Sequence, residues 1–127
     1  MNKITANIKN IINHDDIVLI EASFKDDIFS ILMLDESSLN IKKDSKVELL
    51  FKEQELILSK INENIYIENH FKAKITKITK SKILSQIELL YGDFTLRAIL
   101  NSKFVDEFFI DDFVFCYIKS NDIIIKV

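Results

Sequence analysis

The chain has 127 residues, a formal net charge of −3 at pH 7 and a sequence pI near 5.4. This acidic balance argues against a protein whose main task is to neutralise a nucleic-acid backbone, since such binding uses clustered Lys and Arg. Because no apolar run approaches the ~20 residues of a membrane span, and the first residues lack the apolar core of a signal peptide, we expect a cytoplasmic protein with neither nucleic-acid nor membrane partners.

The sequence repeats itself: Asn2 aligns with Asn69, an offset of 67 residues that needs no gap. Such self-similarity indicates that one structural unit occurs twice. It predicts two domains, at 1–62 and 63–127, each near the lower size limit for a hydrophobic core, so we expect them to pack on each other. Further identical pairs are Ala6 and Ala73, Ile8 and Ile75, Ile11 and Ile78, Glu21 and Glu88, Asp44 and Asp111, Val47 and Val114, and Lys52 and Lys119.

Short segments rich in β-branched and aromatic residues alternate polar with apolar positions, which predicts strands with one buried face. In chain order they lie near 3–12, 17–24, 27–34, 46–52 and 55–60, and then near 70–79, 84–91, 94–101, 113–119 and 122–127. Each set describes a five-stranded, OB-like small barrel. The connections at 35–45 and 102–112 are predicted to hold a short helical turn between strands three and four. The fold class is therefore all-β, with two such barrels in tandem.

Residues between the repeats, at 60–68, are too few and too apolar for a free linker, so the barrels should be docked. The single cysteine, Cys116, lies in the predicted strand Val114–Ile118 and is expected to be a structural thiol. Neither His14 nor His70 has metal-ligand spacing with other candidate ligands, and no Ser or Cys has an attendant base. We therefore expect no metal site and no enzyme activity.

Two signatures recur in both halves. The closing segments VELLFKEQELIL at 47–58 and VFCYIKSNDIII at 114–125 each resemble the strand, turn and strand that end a molbindin or TOBE domain, the Mop-like module of molybdate-binding proteins. The opening segments fit that family's pattern N-x-(L/F)-x-G-x-I-x-x-I, except that alanine replaces the glycine. The residues that fit are Asn2, Ile4, Ala6, Ile8 and Ile11, and Asn69, Phe71, Ala73, Ile75 and Ile78.

This resemblance to a di-domain molbindin covers essentially the whole chain. It implies a cytoplasmic protein that binds molybdate or tungstate as an oxyanion ligand, without an organic cofactor, for storage, buffering or sensing in molybdenum homeostasis. It also implies a homo-oligomer, a dimer or trimer of two-domain chains, because in the family six domains form a ring and the anion lies between domains of neighbouring subunits.

The resemblance also implies which residues bind the oxyanion. Molybdate is a tetrahedral dianion that accepts hydrogen bonds, so its site needs convergent donors and positive charge. Carried over position by position, the second copy offers Asn69, Lys119, Ser120 and Asn121, with Asn101 and Ser102 in its loop. The first copy offers Asn2 and Lys52, with Ser37 and Ser38 in its loop.

Departures from the family pattern weigh against the site. Glu68 occupies the expected arginine position in the second copy, Met1 occupies it in the first, and Tyr66 replaces the expected serine. One unit-charge repulsion at ~4 Å and an effective dielectric constant of about 20 amounts to about 4 kcal/mol. Because Glu53 and Glu55 follow Lys52, we expect the first site to be inactive and the second to carry any binding.

Other interpretations remain open at this point. Lys52 and Lys119 can be interpreted equally well as ligands of an anion and as solvated lysines at strand ends. The loss of site residues and the Phe-rich second half also fit a ligand-free interaction module, a regulatory partner of a molybdate importer ATPase or a transcription regulator. A single-stranded nucleic-acid binder of the OB type would use the aromatic residues for stacking, but the acidic chain disfavours it.

Overall fold

The computed structural model describes residues 1–34 and 40–127, and within them ten strands form two five-stranded antiparallel sheets. The strands of the first repeat are β1 Asn2–His14, β2 Ile17–Phe24, β3 Asp27–Leu34, β4 Lys46–Phe51 and β5 Ile57–Ser59. Those of the second are β6 Asn69–Thr79, β7 Leu84–Tyr91, β8 Phe94–Asn101, β9 Phe113–Ile118 and β10 Ile124–Lys126. Three short 3₁₀ helices occupy Glu53–Glu55, Ser102–Glu107 and Ser120–Asp122.

The predicted fold class is confirmed, and all ten predicted strands are present. The fifth strands begin later than the predicted 55–60 and 122–127 because a 3₁₀ helix precedes each. Strand β1 extends beyond the predicted 3–12 at both ends. The helical turn predicted within 102–112 is the 3₁₀ helix Ser102–Glu107. Most of its counterpart in the first repeat, together with Ser37 and Ser38, lies outside the described residues.

The two repeats exchange their last strands. The sheet orders are β10-β4-β1-β2-β3 and β5-β9-β6-β7-β8. The fifth strand of the first repeat therefore pairs with β9, where Ile57 lies opposite Tyr117, and β10 pairs with β4, where Ile125 lies opposite Leu49. The sequence did not predict this exchange, because both fifth strands have the same pattern and each suits either sheet. The boundary between 62 and 63 remains a prediction about the repeat units.

Matching irregularities show that the repeat is conserved in backbone detail. A β-bulge interrupts β1 between Ile8 and Asn10, and another interrupts β6 at the corresponding place. Asp44 and Asp111 both have positive φ, at 68° and 76°, a conformation that aspartate tolerates better than most residues. Each donates its backbone N–H at 2.8 Å to the isoleucine carbonyl at the bulge, so the same turn fixes the start of β4 and of β9.

An aromatic cluster joins the repeats along their shared side. Phe24 and Tyr91 occupy matching repeat positions and pack edge to face, with ring centroids 5.2 Å apart. The Tyr91 hydroxyl donates to Asp27 of the first repeat. Beside them, Gly92 has a φ of +59°, and a Cβ there would lie 2.6 Å from the Phe24 ring. The only glycine of the chain is thus needed both for the turn and for this contact.

The connection between the repeats is held against the second sheet by a buried tyrosine. The Tyr117 hydroxyl accepts the Glu63 backbone N–H at 2.7 Å. This contact fixes the segment that leads into β6. In the described part of the chain, no helix is long and apolar enough to cross a membrane.

Candidate functional site

Strand register brings the opening and closing signatures of each repeat together. Asn2 lies opposite Phe51 in the β1–β4 ladder, and Asn69 lies opposite Ile118 in the β6–β9 ladder. The residues just beyond these pairs therefore meet at one end of each sheet. We call Met1, Asn2, Lys52, Glu53 and Gln54 the first junction, and Glu68, Asn69, Lys119, Ser120 and Asn121 the second junction.

Each junction packs against a strand of the other repeat. The 3₁₀ helix Ser120–Asp122 of the second junction packs against β3 of the first repeat, and Glu53–Glu55 of the first junction packs against β8 of the second. This arrangement follows from the strand exchange, which carries each chain segment after the 3₁₀ helix across to the other sheet. Any ligand at a junction would therefore lie where the two repeats meet.

The two candidate asparagines are buried, and each uses both its amide oxygen and its amide nitrogen in hydrogen bonds. Asn69 accepts the Ser30 backbone N–H at 2.7 Å and donates its amide to the Ser30 carbonyl at 2.9 Å. Asn2 makes the same pair of bonds with Arg97, at 2.7 and 2.9 Å. Because Ser30 and Arg97 are themselves matching positions, the two amides form equivalent clamps, each holding a strand of the other repeat. We call them the asparagine clamps.

At the second junction the side chain of Glu68 points toward the predicted anion donors. Glu68 Oε2 accepts the Ser120 backbone N–H at 3.3 Å. Glu68 is exposed, whereas Ser120 is buried. The pKa of Glu68 is lowered, mainly by a hydrogen bond from its own backbone, and also by the backbone and hydroxyl of Ser120 and by the charge of Lys119. A carboxylate thus accepts a hydrogen bond from a residue that the family resemblance assigns to oxyanion binding.

The first junction holds opposite charges in contact. The Met1 ammonium lies 2.9 Å from Glu53 Oε1, and Glu55 Oε1 accepts the Lys52 backbone N–H at 2.9 Å. The ammonium is the main reason that the pKa of Glu53 is lowered, and Arg97 lowers it as well. Both carboxylates belong to residues that closely follow Lys52 in the chain. That this junction is inactive remains a prediction.

Sequence reasoning missed Arg97, the only arginine of the chain. It lies in β8, and its charge acts on Glu53 of the first junction. Its guanidinium also lies 3.7 Å from Glu88. No signal in the sequence could have placed it there, because Arg97 belongs to the second repeat and reaches the first junction only through the exchanged arrangement.

The loop candidates of the second repeat form their side-chain hydrogen bonds with residues outside the second junction. Asn101 Oδ1 accepts the Lys103 backbone N–H at 3.0 Å, and the Ser102 hydroxyl lies 2.7 Å from the Ser85 hydroxyl. Asn101 also lines a groove of about 600 Å³ together with Gln54 of the first junction. Among the described residues, no hydrogen bond joins Asn101 or Ser102 to the second junction. Of the ten candidates, Ser37 and Ser38 lie outside the described residues. The other eight form three sets: two at the first junction, four at the second junction, and Asn101 with Ser102 in the loop.

The remaining groups of interest are the cysteine thiol and the possible metal ligands. Burial raises the pKa of the Cys116 thiol, which lies in β9 with no exposed surface. Within 1–34 and 40–127, no group of three or more His, Cys, Asp or Glu is arranged to hold a metal ion.

The chain matches no known family profile and no curated protein sequence. It is similar in structure to the cytoplasmic molybdate-binding protein ModG, solved in a crystal form with molybdate bound. The TM-score is 0.91, with 15% sequence identity, over 99% of this chain and 95% of that chain. This likeness establishes a shared fold along nearly the full length of both proteins.

The asparagine clamps predict a stability effect at Asn69. Replacing it with alanine removes both partners of the Ser30 backbone, so we expect the free energy of unfolding to fall by about 2 kcal/mol or more. Urea denaturation followed by circular dichroism measures this. Asn10→Ala is the matched control, because that exposed amide bonds only to Glu21 and its local backbone, and its loss should stay within about 0.5 kcal/mol. Equal stability of Asn69→Ala and wild type would contradict the clamp.

Proposed function

We propose that this protein binds a tetrahedral dianion of the molybdate and tungstate class in the cytoplasm, as a store, buffer or sensor of that anion. The observation that carries the proposal is the fold shared with a molybdate-bound protein along nearly the whole chain, combined with donor residues at the matching ends of both repeats. We propose a binding role and not catalysis, with the oxyanion as the ligand and no organic cofactor.

The second junction offers the chemistry that such an anion needs. Lys119 provides a positive charge, and the hydroxyl and N–H of Ser120 and the amide of Asn121 provide donors that fit an acceptor-only dianion. Lys119 and Asn121 are exposed and flank buried Ser120, so the side chains of Lys119 and Asn121 are reachable from solvent. In this proposal Asn69 positions the junction by clamping β3, and Lys119, Ser120 and Asn121 bind the anion.

A second candidate function follows from the carboxylate of Glu68. Its contact with Ser120 suits a module that kept the fold and lost the ligand, and that serves as a regulatory partner of a molybdate importer ATPase or a transcription regulator. Such a module would co-purify with a partner protein in its unliganded form.

Isothermal titration with molybdate and tungstate, and with sulfate as the control anion, tests the leading proposal. We expect binding of the two metal oxyanions, and a loss of about tenfold or more in affinity for Lys119→Ala, because a charge-assisted hydrogen bond is removed. Lys52→Ala should have a smaller effect, and Lys82→Ala, an exposed lysine of the β6–β7 connection, should have none. Absence of binding heat for every anion would refute the function and leave the fold untouched.

We further propose that the chain forms a homo-oligomer, a dimer or trimer, through the outer face of the first sheet. Ile12, Leu19 and Leu32 lie opposite one another across three strands, and Ile17 lies opposite Leu34 one row along. Opposed residues of antiparallel strands share a face. Ile12, Ile17, Leu32 and Leu34 are exposed by 40% or more of their surface. A contiguous apolar patch of this kind is typical of a protein interface.

Leu34→Asp should weaken this association, because it places a charge in the apolar patch. Size-exclusion chromatography with multi-angle light scattering gives the molar mass. Asn101→Asp is the matched control, since Asn101 occupies the corresponding position of the second repeat and lies on a more polar face. An unchanged oligomeric mass of Leu34→Asp would exclude this face as the interface.

A further inference from the structure

Glu68 makes a contact that resembles the binding of a ligand. Its carboxylate accepts the Ser120 backbone N–H at 3.3 Å, beside the charge of Lys119. A carboxylate presents acceptor oxygens only, as a tetrahedral oxyanion does, so both satisfy the same donors. Glu68 and an oxyanion therefore cannot use the Ser120 donors at the same time.

The two partners differ in how firmly they are held. Ser120 is buried, 3% exposed, in a 3₁₀ helix that packs against β3. Glu68 is exposed and lies just before β6, at the end of the connection between the repeats. The donor is thus fixed by the fold. The exposed acceptor side chain can rotate into solvent, which breaks its hydrogen bonds with Ser120 and with its own backbone and restores its side-chain freedom.

We propose that Glu68 is an internal competitor: its carboxylate occupies the oxyanion site of the second junction and must be displaced before an anion binds. This inference rests on the proposed function and adds a regulatory step to it, the displacement of Glu68. Because only the displaced state is competent, the apparent affinity is the intrinsic affinity reduced by the fraction of chains in that state. The site then fills only at higher oxyanion concentration than its donors alone would allow.

Glu68→Gln tests this inference, because it keeps the size of the side chain and removes the negative charge. By isothermal titration with molybdate, we expect Glu68→Gln to bind about tenfold or more tightly than wild type. The Ser120 amide signal in ¹H–¹⁵N spectra should move during the same titration. Glu107→Gln is the matched control, since it removes an equal charge from an exposed side chain in the 3₁₀ helix Ser102–Glu107 and should change the affinity by less than about twofold.

The outcomes separate this inference from the proposed function. Tighter molybdate binding by Glu68→Gln than by wild type, with the affinity of Glu107→Gln unchanged, supports the inference. Wild-type binding that Glu68→Gln leaves equal or weakens overturns the inference and keeps the function. A parallel titration uses inorganic phosphate. Phosphate binding by wild type that Glu68→Gln abolishes also overturns the inference, because the Glu68 carboxylate would then accept a hydrogen bond from the protonated phosphate. Absence of anion binding by both proteins overturns the inference and the proposed function together.

Discussion

The exchange between the two repeats is the constraint on which the rest of this structure depends. Each repeat supplies the last strand of the other sheet, and each opening asparagine, Asn2 or Asn69, holds the backbone of a strand in the other repeat. A buried amide that makes two hydrogen bonds contributes to stability chiefly because its loss leaves backbone groups unpaired. Two units close to the minimum size for independent folding thus become one hydrogen-bonded body with a continuous aromatic contact.

This exchange also determines what a binding site in this fold can consist of. Because β5 and β10 cross over, the 3₁₀ helix before each packs against a strand of the opposite repeat, so each junction lies beside residues of the other copy. The same backbone geometry then carries different charges: Glu53 and the Met1 ammonium at the first junction, and Glu68 with Lys119 at the second. The two repeats thus share a backbone arrangement but differ in the charged groups at their junctions.

The fold could be predicted from the sequence because the residue patterns that define each strand are local. Alternation and turn residues define strands such as β2 and β7 at their exact observed bounds, and the 67-residue offset transfers each assignment to the other repeat. The candidate site could be predicted only in part. The closing signature predicts Lys119 and Ser120 as candidates, and their role stays a prediction. The hydrogen bonds of Asn2 and Asn69 in the clamps, and the position of Arg97 near Glu53, depend on long-range pairing between the repeats. Two fifth strands with equivalent patterns give no local signal of which sheet each will join.

The chain combines a fold shared with the molybdate-binding protein ModG with a junction where the Glu68 carboxylate accepts the Ser120 backbone N–H. The proposal that a tetrahedral oxyanion binds at the second junction is tested most directly by a crystal grown with tungstate and measured at the tungsten absorption edge. We expect an anomalous peak within hydrogen-bonding distance of Ser120 and Lys119, with the Glu68 carboxylate moved off Ser120. Tungsten absent from that junction, with Glu68 still bound to Ser120, would contradict it.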